Sequence, residues 1–190
     1  MDKYNLIALD GPDGTGKTTL SKLLAEKTNC IYIKTPPNNL NKIRFNFDWN
    51  PSARFSFYLL SVLDLPEECF LDRYILSTIA YHSVLNPKEK TNYKETTKEL
   101  IKKGFIKKPD LQIILTVDEH ERKKRIKNRE NSYNFYDDDD NFQKKIANEF
   151  QELIKTNFLE LTDSQYLIMN NTNTDINTTK NNILKRCYYD

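Results

Sequence analysis

The sequence predicts an α/β fold in which a five-stranded parallel sheet has helices on both faces. Five short apolar runs recur along the 190 residues, and segments with helical periodicity separate them. Such alternation is typical of parallel sheets, because each crossover helix returns the chain to the same sheet edge. No repeat or linker interrupts this order, so residues 1–190 are expected to form one domain. The predicted strands are residues 6–9, 31–33, 69–71, 111–117 and 166–169.

A glycine-rich segment follows the first predicted strand. It has Gly11, four residues, then Gly16, Lys17 and Thr18, and a helix predicted over residues 18–27 comes next. A strand, loop and helix of this pattern bring backbone N–H groups together around a phosphate. We therefore expect a nucleoside triphosphate site, with Lys17 on the outer phosphates and the Thr18 hydroxyl on Mg²⁺. The predicted ATP-binding residues are Gly11, Asp13, Gly14, Thr15, Gly16, Lys17, Thr18 and Thr19.

Polar residues end the second and third predicted strands. Ligands of parallel sheets bind at the carboxyl ends of strands, so these positions are informative. Lys34 could face a substrate there, or solvent. Asp72 is expected to hold Mg²⁺ directly or through water, as an acidic residue after a strand does in phosphate-loop proteins. The adjacent Arg73 could lie on a phosphoryl oxygen.

Aromatic side chains are concentrated in two predicted helices between these strands. A helix over residues 52–64 has an apolar stripe, with Phe57 and Tyr58 as additional aromatic surface. The stripe can face the core, or the helix can form a wall for a nucleotide base. A second helix begins near Ser77 and contains Tyr81 and His82, whose polar groups could reach a pocket.

The helix predicted over residues 119–130 is basic, and an acidic run at residues 137–140 follows it. One interpretation is a lid over about residues 126–140, which would close over the triphosphate and supply arginines. The other is that the acidic run begins the next helix, since aspartate is favourable at a helix N-terminus. Both can hold. Further helices are predicted over residues 94–103, 141–156 and 175–187, and residues 170–174 form a polar loop where an adenine edge could bind.

The charge balance argues against several classes of function. The chain has 29 Lys and Arg residues against 27 Asp and Glu residues, so nothing indicates a nucleic-acid partner. No apolar stretch approaches membrane-spanning length, and residues 1–9 lack a signal-peptide pattern. We therefore expect an intracellular, cytoplasmic protein that does not act at a membrane.

Several of these motifs together resemble the thymidylate kinase family. They are the loop of residues 11–19 with Asp13 inside it, Asp72-Arg73-Tyr74, and the Pro109-Asp110 pair before an apolar strand. The resemblance spans nearly the whole chain. It implies the P-loop nucleoside monophosphate kinase fold, phosphorylation of dTMP with ATP and Mg²⁺, and a homodimer.

The resemblance also implies roles for single residues. Asp13 would approach the acceptor's deoxyribose, Arg73 would hold the acceptor phosphate, and Asp72 would belong to the Mg²⁺ shell. Family members with no arginine in the phosphate loop usually take catalytic arginines from the lid. Because Gly14 stands in this loop, Arg125 and Arg129 are the expected catalytic arginines, beside Lys17 and Arg73.

The departures from the family pattern fall in the acceptor pocket. Lys34 stands near the family's arginine after the second strand, and His82 replaces a glutamine. Leu60 and Asp64 align with a phenylalanine that stacks on thymine and an arginine that binds its carbonyl. Phe57 or Tyr58 could supply the stacking. An ionised aspartate only accepts hydrogen bonds, and burying it against a base carbonyl would cost about 1–3 kcal/mol.

Two hypotheses on the base follow from Asp64. The acceptor could be a base other than thymine, such as one with an amino group. Alternatively, Asp64 faces solvent or pairs with Arg54, and dTMP remains the acceptor.

The reaction expected from these residues is in-line phosphoryl transfer from ATP. A monophosphate acceptor is already anionic near neutral pH, whereas a nucleoside acceptor needs a carboxylate base for its 5′-hydroxyl. A deoxynucleoside kinase is therefore the alternative enzyme. A nucleotide-binding regulatory module without catalysis is a third interpretation, and the intact set of Lys17, Thr18, Asp72 and Arg73 argues against it.

Overall fold

The computed structural model describes residues 4–37, 40, 49–128 and 139–188. Its five strands form one parallel sheet in the order β2-β3-β1-β4-β5, which confirms the predicted sheet. The first strand is thus central, and the segment that follows it leaves the middle of the carboxyl edge. The strands are β1 Leu6–Asp10, β2 Ile31–Lys34, β3 Cys69–Asp72, β4 Leu111–Thr116 and β5 Tyr166–Asn170.

Seven α-helices lie within the described residues, and short 3-10 turns occupy Pro87–Glu89 and Asp163–Gln165. Within the same part of the chain, no helix combines the length and the apolar character needed to cross a membrane. The helices are α1 Lys17–Thr28, α2 Pro51–Leu60, α3 Ile75–Leu85, α4 Lys90–Lys102, α5 Glu119–Lys127, α6 Asp140–Lys155 and α7 Ile176–Tyr188.

The hydrophobic core lies on both faces of the sheet. Successive side chains of a strand point to opposite faces, so Leu6 and Ala8 pack with α2, α3 and α6. Ile7 and Leu9 pack on the other face with α1 and α7. The central strand β1 is therefore buried throughout, whereas the edge strand β2 is only partly covered. The prediction of helices on both faces is confirmed.

Four strands extend one residue beyond their predicted ends. The added residue is polar in each case and remains in the strand, because its backbone continues the ladder after the apolar side chains stop. Polar groups from neighbouring strands are thereby brought to one edge of the sheet. The four residues are Asp10, Lys34, Asp72 and Asn170.

Helix α2 ends four residues earlier than the sequence predicts. The Ser61 hydroxyl donates to the carbonyl of Tyr58 (2.7 Å), which is the acceptor that the Val62 N–H would need to continue the helix. Val62 instead donates to the carbonyl of Leu59 (3.1 Å) in a tighter turn. As a result, Asp64 lies beyond the helix and is exposed.

The acidic run contributes to the start of α6, as one of the two interpretations predicts. The Asp139 carboxylate accepts a hydrogen bond from the Phe142 N–H (2.9 Å) and caps the helix. Asp140, its first residue, accepts from the Lys123 ammonium (2.6 Å). Residues 129–138, which include Arg129 and most of the expected lid, lie outside the described residues.

Candidate active site

The phosphate loop joins β1 to α1. At Gly11 the backbone has a φ of +140°, and an added Cβ would lie 2.2 Å from the carbonyl oxygen of Leu115. Only glycine fits there. Helix α1 follows Gly16 without a side-chain cap among the described residues and without an acidic residue in its first turn. Its first N–H groups and the positive end of its dipole are therefore suited to an anion.

Lys17 is buried over this loop. Its ammonium group donates to the Pro12 carbonyl (2.6 Å) and to the Thr15 hydroxyl (3.2 Å). Burial, together with the nearby positive charge of Arg73, lowers the pKa of Lys17 to about 7. A bound phosphate favours the charged ammonium and will raise this pKa again.

Helix α5 packs directly against the loop at Gly14. The φ of Gly14 is +83°, and an added Cβ would lie 2.8 Å from Cγ of Arg122. Arg122 is only 2% exposed, and it donates to both carboxylate oxygens of Glu119 (2.7 and 2.6 Å). A side chain at position 14 would displace this ion pair. The close packing explains in physical terms why the loop has no arginine at this position.

The polar loop after β5 is also attached to the phosphate loop. The Asn171 amide donates to the Thr15 carbonyl (3.1 Å), and the Asn171 carbonyl accepts from the Arg125 guanidinium (2.7 Å). Arg125 also donates to Glu121 (2.8 Å). Its guanidinium lies 3.9 Å from the position that a Cβ on Gly16 would take. Of the two predicted lid arginines, the described one is thus beside the start of α1.

The two residues predicted to bind metal are in contact. The Thr18 hydroxyl, from the first turn of α1, donates to Oδ2 of Asp72 at the end of β3 (2.5 Å). Tyr32, which the sequence analysis missed, donates to the same oxygen (3.2 Å). Burial and the neighbouring carboxylate raise the pKa of the Tyr32 hydroxyl, so it stays a donor. Hydroxyl and carboxylate oxygens are ligands that suit Mg²⁺, so this pair fits the predicted metal.

Arg73 is the centre of a cluster next to the loop. Its guanidinium forms an ion pair with Asp13 and donates to the hydroxyls of Tyr81 (3.3 Å) and Ser77 (3.4 Å). Tyr81 in turn donates to Asp13 (2.6 Å). Burial alone would lower the pKa of Arg73, but Asp13, Tyr81 and Asp72 together more than offset this and hold the pKa above its usual value. The structure therefore brings together three predicted site residues, Asp13, Arg73 and Tyr81.

Other predicted acceptor residues lie apart from this cluster. Lys34 is exposed at the end of the edge strand β2. Leu60 is 65% exposed at the end of α2, so it offers no enclosed surface for stacking. Asp64 is exposed as well, and the described part of the chain contains no ion pair between it and Arg54. This exposure favours the alternative in which Asp64 faces solvent.

The aromatic candidates divide between two surroundings. Phe57 is buried, with its ring 5.2 Å from the ring of Trp49. The half-buried Tyr58 lies 4.9 Å from the ring of His82 on α3. His82 is buried, and its Nδ1 lies 2.7 Å from the Thr78 carbonyl, which requires a proton on that nitrogen. Tyr58, one of the two side chains proposed for base stacking, thus lies against α3.

The geometry of the site defines a class of protein. A phosphate loop leaves the central strand, a hydroxyl and a carboxylate meet beside it, and an arginine follows the neighbouring strand. This arrangement at the carboxyl edge of a parallel sheet is that of the P-loop nucleotide kinases.

Comparison with known proteins gives the family. Residues 54–183 match the family model described as thymidylate kinase, and the chain belongs to the thymidylate kinase family. A probable thymidylate kinase of Sulfurisphaera tokodaii is 32% identical over 170 residues, which are 82% of this chain and 80% of that protein. The protein is therefore a nucleoside monophosphate kinase, a phosphotransferase, as the motifs predict.

Solved structures share the fold. Thymidylate kinase from Candida albicans superimposes with a TM-score of 0.71 at 22% identity, over 97% of this chain and 92% of that one. Deoxyadenosine kinase from M. mycoides gives a TM-score of 0.66 at 20% identity, over 95% of this chain and 96% of that one. The fold prediction is thus confirmed as that of the P-loop nucleotide kinases.

Proposed function

We propose that the chain transfers the terminal phosphoryl group of Mg-ATP to a deoxynucleoside monophosphate, either dTMP or a nucleotide with a related base. One observation carries the proposal. Arg73 follows β3, and its ion pair with Asp13 fixes it beside the phosphate loop. Lys17 follows the neighbouring strand β1, so two cationic groups lie at the same edge of the sheet. Such an edge suits two anionic phosphates that must approach each other.

The donor side follows from the loop. The first turn of α1 and the Lys17 ammonium would bind the ATP phosphates, and Thr18 and Asp72 would hold the metal. Bound Mg²⁺ supplies charge neutralisation on the phosphates. Arg125, together with Arg129 from a lid over about residues 126–140, would neutralise charge that develops during transfer. We place all these parts in the single domain of residues 1–190.

The acceptor is proposed to be a monophosphate because the carboxylates near the site already have partners. Asp10 accepts from Tyr74, Ser77 and Gln112, and Asp13 accepts from Arg73 and Tyr81. A 5′-hydroxyl acceptor would need one of these groups as a base, whereas a phosphate oxygen needs none. Deoxynucleoside kinase activity remains the second candidate, since a deoxyadenosine kinase shares the fold.

The acceptor wall supports two alternatives for the base. The exposure of Asp64 supports dTMP, whereas the substitutions at Leu60 and His82 support a changed preference. The C. albicans thymidylate kinase, which shares the fold, has broad substrate specificity.

Initial rates with Mg-ATP will test the proposal. The acceptors are dTMP, dUMP, dCMP, dAMP and dGMP, with thymidine and deoxyadenosine as nucleoside controls and EDTA as the metal control. We expect turnover with at least one monophosphate, and we expect EDTA to abolish this turnover. Clear selectivity for dTMP would refute the changed base preference. Turnover with nucleosides alone would refute the monophosphate acceptor and show that the acceptor is a nucleoside 5′-hydroxyl.

The family resemblance also leads us to propose a cytoplasmic homodimer whose partners are ATP and a nucleotide, with no nucleic-acid or membrane partner. The nearly balanced charge is consistent with these partners. Light scattering during size-exclusion chromatography tests the dimer, and a monomer mass at assay concentration would refute it.

A further inference from the structure

Asp10 is a fully buried carboxylate at the end of β1, immediately before the phosphate loop. Its Oδ1 accepts hydrogen bonds from the N–H of Tyr74 (2.9 Å), the N–H of Ser77 (3.2 Å) and the Ser77 hydroxyl. Its Oδ2 accepts from the Gln112 amide (3.2 Å). Both oxygens therefore act as acceptors only, and the donors that they engage belong to the start of α3 and to β4.

These contacts fix the backbone that follows Arg73 in the chain. Tyr74 precedes α3, and no described side chain of that helix caps its first turn. Asp10 supplies the missing acceptor from another strand. Arg73 itself has a φ of +73°, a conformation that is costly for any residue with a side chain. The N–H of Arg73 itself donates to the Leu9 carbonyl (3.0 Å).

A second connection runs through the Ser77 side chain. A serine hydroxyl has a single hydrogen, and Ser77 donates it to Asp10. The lone pairs of the same oxygen then face Arg73, whose Nη1 donates to it (3.4 Å). Asp10 thus orients both the backbone and the side-chain partner of Arg73.

We propose that Asp10 is a positioning residue, which holds the Arg73 guanidinium where it meets the acceptor's phosphate. Asp10 acts through Tyr74 and Ser77 and touches no substrate. The inference rests on the proposed role of Arg73 in acceptor binding and extends it to a residue in a different strand.

The test compares Asp10→Ala with Asp10→Asn, using the dissociation constants of dTMP and ATP from titration calorimetry. Asp10→Ala removes every acceptor, and we expect dTMP binding to weaken about tenfold while ATP binding changes less than about threefold. Asp10→Asn keeps an acceptor for Tyr74 and Ser77. Its new amide nitrogen would face the Gln112 amide nitrogen, so Gln112 must turn its amide over and accept through Oε1, at the cost of its hydrogen bonds to the Ala8 and Ile113 carbonyls. That cost falls on stability and leaves the contacts to Tyr74 and Ser77 in place. Binding of dTMP should therefore recover to within about threefold.

A double-mutant cycle with Arg73→Ala separates positioning from a general disturbance of the loop. If Asp10 acts through Arg73, Asp10→Ala should weaken dTMP binding by less than about twofold once Arg73 is gone. An equal loss in both backgrounds would overturn the inference. If Arg73→Ala alone leaves dTMP binding unchanged, the proposed role of Arg73 fails instead.

Asp110→Ala is the matched control. The Asp110 carboxylate also accepts two distant backbone N–H groups, from Asn5 (2.9 Å) and Leu6 (2.8 Å), but at the opposite edge of the sheet. This variant should lose stability without weakening dTMP binding. Should Asp10→Ala fail to fold, Ser77→Ala tests the hydroxyl connection, with dTMP binding expected to weaken about threefold. Unchanged binding in Ser77→Ala would then contradict the inference.

Discussion

Two regions of the site differ in how their side chains are held. In the phosphate edge, formed by residues 10–18 and 72–73, each charged side chain is held by hydrogen bonds, as Asp72 is by Thr18 and Tyr32. In the acceptor wall, formed by α2 and residues 61–64, Leu60 and Asp64 are exposed. The difference has a chemical reason. Phosphate is common to all nucleotide substrates and requires fixed charges, whereas the base varies and can be met by variable side chains.

Arg73→Ala should have the largest effect and is the strongest test of this difference. Arginines that neutralise a transferring phosphoryl group are worth about 10³–10⁵ in turnover, so we expect kcat/KM for the acceptor to fall at least about 10³-fold. Arg73→Lys should retain only part of the wild-type kcat/KM, since lysine lacks the planar guanidinium group that binds two oxygens at once. The control is Arg186→Ala on α7, which removes a hydrogen bond to the Ser164 carbonyl. Similar activities of both alanine variants would contradict the assignment.

Arg125→Ala should have a smaller effect, because Arg125 lies at the border of the phosphate edge. It is held by Glu121 and Asn171 rather than by the loop itself. We expect turnover to fall at least about tenfold, which is a smaller loss than the roughly 10³–10⁵-fold loss expected for an arginine that neutralises the transition state. Lys124→Ala, one residue earlier and exposed, controls for the charge of the helix. Equal rates in the two variants would leave Arg129 as the remaining candidate.

The pH dependence of ATP binding is the next effect in size. With a pKa of about 7, Lys17 is mostly neutral in the free protein at pH 8. Phosphates raise this pKa, so ATP binding should take up close to one proton there, and affinity should fall about fivefold from pH 7 to pH 8. Calorimetry in buffers of different ionisation enthalpy measures the uptake. In Lys17→Arg, which stays charged, the uptake should vanish; an uptake equal to that of the unmodified protein would exclude Lys17 as its source.

The same two regions show what the sequence could predict. Apolar runs identified every strand to within one residue at its carboxyl end, including the partly exposed edge strands β2 and β5. The phosphate loop could be predicted because its glycines, Lys17 and Thr18 are consecutive. Pairings across the sheet had no such signal. Asp10 with Ser77 and Asn171 with Thr15 are 67 and 156 residues apart.

The acceptor wall could not be predicted well because one local contact changes its shape. The helical stripe favoured a helix through residue 64, but the Ser61 hydroxyl bonds to the Tyr58 carbonyl and the helix ends at Leu60. In a helix through residue 64, Asp64 aligns with the family's arginine that binds the base carbonyl. In the structure, Asp64 lies beyond the helix and is exposed. A polar side chain that competes with its own backbone is visible in a sequence, but propensity alone does not show which bond it will form.

Asp64→Asn should have the smallest effect and sharpens the contrast between the two regions. Because Asp64 is exposed, removing its charge should change kcat/KM for each deoxynucleoside monophosphate by less than about twofold, as surface substitutions usually do. Tyr58→Ala is the informative partner variant, since Tyr58 is half-buried against His82. Its loss should raise the acceptor KM about tenfold, within the range for a stacking aromatic group. If Asp64→Asn instead changes the order of preference among the bases, the exposed aspartate must meet the acceptor when it binds, and recognition of the base would depend on a rearrangement of α2.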